Sequence, residues 1–214
     1  MAASPRPDAP DDAEGESRVE LWAAPLPQPL SPFAWHGWFV VREGESAARY
    51  EVWQRRDVGG TSAGHVHRDL MRAQGGVGGG AARRIFTFTG PAAERLAGVL
   101  ARALETYPNR DRYVYWPGPN SNTFVRWALD EAGLWDDVLL DPRLVGKDYL
   151  GRFGVGMRRA PGVFQFASPL VSLRAGGRAG VVELSALGIT VVGFARSPRL
   201  LLTPAGFVRL RGEK

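Results

Sequence analysis

The chain has 214 residues with 44% hydrophobic content, enough for one domain with a sizeable core or a domain with an appended subdomain. It contains no cysteine, which excludes disulfides, thiolate metal ligands and a cysteine nucleophile. Its net charge of +5 is unevenly placed: residues 1–17 carry five acids against Arg6, whereas residues 141–214 carry twelve Lys/Arg against four acids. A basic half of this kind is either a solvated arginine-rich surface or an attractor of anionic lipid, nucleic acid or an acidic partner. The aromatics do not interleave with the arginines as base-stacking platforms do, so nucleic-acid binding is not expected.

Residues 1–17 are rich in Pro, Ala and Asp and have little apolar surface to bury. They read as a disordered acidic tail, neither signal peptide nor anchor. Residues 18–24 and 34–42 predict strands, the second alternating His36, Trp38 and Val40 against Trp35, Gly37, Phe39 and Val41. Residues 49–54 suit a hairpin partner, 59–82 a flexible glycine-rich loop, and 84–89 another strand. A helix is expected over 91–106, opened by Pro91 at a first helical position. A second helix is expected over 121–132, with Gly133 as its C-terminal cap. Residues 163–166, 170–174, 181–185, 189–194, 200–203 and 207–210 read as short strands of a meander. The run 180–195 is apolar but broken by Glu183 and too short to span a bilayer as a helix. A cytoplasmic protein with no transmembrane segment is expected, with an α+β core at 18–150 and a β-rich extension at 151–214 packing on it.

The most distinctive stretch is Trp116-Pro117-Gly118-Pro119-Asn120-Ser121-Asn122-Thr123-Phe124. A rigid turn delivers a hydroxyl to a helix start, where free N–H groups and the dipole stabilise a developing anion. A serine nucleophile needs a general base. His36 lies in a regular strand, whereas His65 and His67 lie in the glycine-rich loop, so Ser121–His36 is the economical dyad. The competing reading is that Asn120 or Ser121 caps the helix. Metal binding is not expected, since His65-x-His67 has no clear third ligand nearby. Nor does Gly75–Gly80 have the Gly-Lys-Ser/Thr ending of a phosphate loop. No cofactor is expected.

Residues 115–129 (YWPGPNSNTFVRWAL), with GKDYL at 146–150 and HGWFVV at 36–41, resemble the bacterial family known as domain of unknown function 3750. That similarity extends over residues 18–210 and implies no established activity. A more distant similarity is to permuted papain-like folds, in which a strand histidine precedes a helix-start cysteine followed by Asn or Glu and then an aromatic. His36 matches the histidine; Ser121 falls at the cysteine, with Asn122 and Phe124 after it. The resemblance implies an α+β fold with a mixed or antiparallel sheet, two main helices and an all-β C-terminal extension. It implies either a serine variant or a cleft that has lost thiol chemistry.

Glu51 in the next strand, and less readily Tyr50, is the candidate orienter of His36; otherwise Glu51 is a surface carboxylate paired with Arg49 or Arg55. Trp38, Trp116, Asn120, Asn122, Lys147 and Asp148 are candidate substrate-binding residues, though Lys147 and Asp148 also suit a simple ion pair. Glu183 expects an arginine partner or an open sheet face. Three functions follow: a hydrolase or acyltransferase for an amide, ester or thioester in a small-molecule, peptide or lipid substrate; a non-catalytic binding module; or a basic surface-binding protein.

Overall fold

The computed structural model describes residues 17–134, 138–150, 154–160, 162–178, 180–196 and 200–210. The expected acidic tail, apart from Ser17, lies outside the described residues. The architecture is α+β, with two antiparallel sheets and few helices. Strands β1 (Arg18–Pro25), β2 (Trp35–Glu43), β3 (Ser46–Val52), β4 (Thr61–Ala63), β5 (Val66–Arg68) and β6 (Arg83–Thr89) form the first sheet. Their order is β4-β5-β3-β2-β1-β6, so the two most apolar strands, β1 and β2, are neighbours and neither lies at an edge.

Alternation along β2 gives this sheet two different faces. Trp35 and Phe39 pack with Leu21 and Tyr50 under the helices α1 (Gly90–Ala101) and α3 (Ser121–Glu131). From α1 come Leu96 and Leu100; from α3 come Phe124, Val125, Ala128 and Leu129, spaced as one helical stripe. Tyr107 closes this layer edge-on to Phe124, with ring centroids 5.3 Å apart. The opposite face, with Ala24, Trp38 and Val40, is covered by Ala73, Val77 and Ala82.

The segment expected as a flexible loop at 59–82 therefore contains β4 and β5 and then a lid on the sheet. Its glycines serve close approach: a Cβ on Gly79 would lie 2.1 Å from the Leu26 carbonyl oxygen. The helix expected over 91–106 divides at Arg102 into α1 and the single turn α2 (Ala103–Thr106).

The second sheet is a seven-stranded meander of β7 (Gly156–Ala160), β8 (Val163–Ala167), β9 (Val171–Gly176), β10 (Val181–Ala186), β11 (Ile189–Ala195), β12 (Leu200–Thr203) and β13 (Gly206–Arg209). Strand β7 was not foreseen from the sequence. The tip of the β10–β11 hairpin seats on the Pro-Gly-Pro turn, where a Cβ on Gly188 would meet Pro117 at 3.0 Å. The Gly146 N–H donates to the Gly188 carbonyl at 3.3 Å. No helix among the described residues is long and apolar enough to cross a membrane.

Candidate functional site

The start of α3 is built from four consecutive polar residues, three of which spend their side chains on the fold. Asn120 is the N-cap: its Oδ1 accepts the N–H groups of Asn122 at 3.0 Å and Thr123 at 3.3 Å. Thr123 Oγ1 accepts the Asn120 N–H at 3.1 Å, completing a capping box, and donates to the Gly146 carbonyl at 2.9 Å. Asn120 Nδ2 donates to the carbonyls of Tyr115 and Val145, each at 3.1 Å. Gly146 is glycine because Asn120 occupies the space of a Cβ, which would lie 2.5 Å from its amide nitrogen.

Asn122 reaches the edge of β2. Its Oδ1 accepts the Gly37 N–H at 3.0 Å, and its Nδ2 donates to the carbonyls of Trp35 at 2.9 Å and Val145 at 2.8 Å. Pairing between β2 and β3 begins only at Phe39–Tyr50, so this amide stands in for a strand neighbour. Gly37 is small because Asn122 and Val125 would each lie 3.1 Å from its Cβ. Ser121 is the first helical residue rather than the cap. Among the described residues its hydroxyl has no hydrogen-bond partner, although the residue is buried.

His36, between the two β2 residues that Asn122 holds, is buried with its ring between Trp38 and Trp53, at centroid distances of 5.9 and 5.2 Å. Its Nε2 lies 2.9 Å from Glu51 Oε2. Arg49 donates to the same Glu51 oxygen at 2.8 Å and to the carbonyls of Arg72 at 3.0 Å and Gly75 at 2.7 Å. Its guanidinium lies over the Trp38 ring at 4.0 Å. Burial alone raises the Glu51 pKa, but the hydrogen bonds and charges of His36 and Arg49 outweigh it and hold the carboxyl below its ordinary value.

Glu51, the candidate orienter of His36, is fully buried rather than the surface carboxylate of the alternative reading, and it also pairs with Arg49. Tyr50 lies on the other face of β3, in the core. From the sequence Arg49 enters only as an alternative ion-pair partner of Glu51, and its spacing two residues away on one strand face is the signal that places it in the cluster. No hydrogen bond joins His36 to Ser121 among the described residues. The His36 ring lies on the face of β2 opposite the apolar stripe of α3.

Lys147 and Asp148 form a second centre between the sheets. Lys147 Nζ donates to Asp148 at 2.9 Å, Glu183 at 2.7 Å and Thr190 Oγ1 at 3.3 Å, and Ser185 Oγ donates to Asp148 at 2.8 Å. Glu183 thus pairs with Lys147, and Arg174 stands opposite it in register on β9. Burial works against charge on Lys147 and Asp148, yet Asp148 and Glu183 raise the lysine pKa, and Lys147, Ser185 and Arg126 lower that of Asp148. Arg126 of α3 donates to Gln165 of β8 at 2.9 Å. Nearby Arg174 has its pKa pulled down to about 10 by burial and by the Arg126 charge.

Trp38 donates its indole N–H to the Ala73 carbonyl at 2.8 Å, whereas Trp116 is exposed beside the Pro-Gly-Pro turn. His67 Nε2 lies 3.0 Å from the Arg55 carbonyl and His65 Nδ1 2.9 Å from the Trp53 carbonyl. Among the described residues no group of three His, Asp or Glu could hold a metal ion.

No curated protein and no solved structure matches this chain. Residues 16–149 match the family described as Protein of unknown function (DUF3750). That span takes in the first sheet, the helices, His36, Ser121 and Lys147, and stops before the second sheet. It covers more than half of the sequence, and the chain belongs to that family.

Proposed function

We propose that the start of α3 is a serine-variant papain-like centre, acting as a hydrolase or acyltransferase on an amide, ester or thioester. One observation carries the reading. In a stretch where Asn120, Asn122 and Thr123 are all bonded, the Ser121 hydroxyl alone has no partner among the described residues. The residue after it is fastened to both backbone neighbours of His36.

The chemistry follows from the roles those groups can play. His36 Nε2 is committed to Glu51, which leaves Nδ1 as the ring nitrogen that would take a proton from Ser121. The proton of Ser121 Oγ passes to Nδ1 as Oγ attacks the acyl carbon. The leaving group takes that proton as the acyl bond to it breaks, and water or another acceptor then releases the acyl group from Oγ. The N–H groups of Asn122 and Thr123 are already bonded to Asn120, which leaves the Ser121 N–H and the helix dipole to face the oxyanion. The reading requires Ser121 Oγ to reach His36 around the free edge of β2, where Asn122 takes the place of a strand neighbour.

A second reading is a binding module that kept the frame without turnover. It is supported by burial: His36 and Ser121 are 3% and 4% exposed. A fluorophosphonate serine probe with peptide mapping tests both. Labelling of Ser121, lost in His36→Ala with the fold intact, supports the enzyme. An unlabelled Ser121 in folded protein, across probes of different size, supports the binding module.

A further inference from the structure

The second sheet is inside out. Its inner face buries Gln165, Ser172, Arg174, Glu183, Ser185 and Thr190. Its outer face carries a row of neighbouring residues, Met157, Phe166, Leu173, Leu184 and Val192, paired in register across five strands. Each of them is 37–59% exposed except Phe166, at 36%. Val182, Phe194 and Val208 extend the surface on the same side. An apolar face of this extent on one side of a sheet marks a contact surface.

Charge identifies what it contacts. Between residues 149 and 212 the only acid is Glu183, which is buried against Lys147 on the inner side. Exposed arginines described around the apolar face are Arg159, on the same side of β7 as Met157, and Arg196, in the turn after β11. We propose that this face lies on an anionic phospholipid bilayer, with the apolar rows in the acyl boundary and the arginines among the headgroup phosphates. A second copy fits less well, because a two-fold contact would bring rims of one sign together. This inference is independent of whether Ser121 is catalytic.

The test is flotation of the full chain with phosphatidylcholine vesicles with and without phosphatidylglycerol. Binding only to the anionic vesicles, weakened by salt, is expected. Arg159→Glu with Arg196→Glu changes exposed side chains only and should weaken binding about tenfold or more. Leu184→Gln with Phe194→Gln should do the same, circular dichroism confirming the fold. No flotation with phosphatidylglycerol, or flotation that the arginine pair leaves unchanged, overturns the proposal. So does a wild-type dimer that Leu184→Gln dissociates, which would make a second copy the occupant.

Discussion

The Asn122 side-chain oxygen accepts the backbone N–H of Gly37 at 3.0 Å, so a helix start is fixed to the middle of a sheet by one amide. The same side chain donates to Trp35 and Val145, and all three partners are buried backbone groups. Asn122→Ala strands them at a cost of about 1–3 kcal/mol for each group left unpaired. A loss of at least about 2 kcal/mol is expected in urea unfolding, with the slope unchanged.

Ser121→Ala behaves differently. Asn120, not Ser121, caps α3, and the Ser121 hydroxyl has no partner among the described residues. Its removal should change stability by less than about 0.5 kcal/mol, whereas Asn120→Ala should cost ~1 kcal/mol or more. Equal losses for the two variants would show that Ser121 holds the helix start.

Lys147 neutralises two buried carboxylates at once. Lys147→Met leaves Asp148 and Glu183 facing each other in a dry site, and a loss of about 3–5 kcal/mol is expected from thermal or urea unfolding. Adding Asp148→Asn and Glu183→Gln should recover part of that loss, because the isolated charges are then gone. A triple variant no better than Lys147→Met alone would contradict the electrostatic account.

Acid should destabilise the protein through Glu51 and Asp148. Both have folded pKa values below their ordinary 4.5 and 3.8, so each contributes stability that is fully present above those values and is lost as pH falls through the folded ones. The urea midpoint should be flat above about pH 5 and fall below pH 4. Glu51→Gln should be less stable at pH 7 and have a shallower acid limb. A Glu51→Gln curve parallel to wild type over the whole range would remove Glu51 from the linkage.

Much of this arrangement was legible in the sequence because it rests on local pattern. The alternation in residues 34–42 placed His36 and Trp38 together, and the spacing of Phe124, Val125, Ala128 and Leu129 defined the inward stripe of α3. The hairpin argument brought Glu51 towards His36, and they lie 2.9 Å apart. What escaped depends on distant pairings. Residues 61–68 form two three-residue strands too short to show a period, and they exist because Glu51 and Val52 offer an edge. Gly75–Gly80 read as slack because composition does not reveal that Leu26 and Pro25 press against it. The Asn120 and Asn122 amides read as ligands for substrate, yet they are committed to carbonyls at Tyr115, Trp35 and Val145. Amide groups at a helix start look alike from sequence whether they face a ligand or the chain itself.

The two sheets should differ in autonomy. The first has a contiguous apolar core shared with α1 and α3, and the second has, among the described residues, a small cluster around Val181, Ala195, Leu200 and Leu202. A chain ending at Leu150 uncovers mainly Lys147, Asp148 and Arg126, which water solvates readily. That fragment should stay soluble and unfold cooperatively, while residues 151–214 alone should not fold. Circular dichroism melts of the two pieces check this, and a molten 1–150 fragment would show that the second sheet completes the core.

Three partners that make the inner face of the second sheet tolerable precede it: Arg126 for Gln165, Lys147 for Glu183, Asp148 for Ser185. On the ribosome these counter-charges emerge before the strands that need them, and the first half has time to assemble a template. The meander then zips up against a waiting surface, strand by adjacent strand, with its wrong face disfavoured by the charges it would leave unmatched. A circular permutant beginning at Gly154 would reverse that order of arrival. It would give those strands a nascent chain in which only the apolar face has anything to bind, and that face binds other nascent chains equally well.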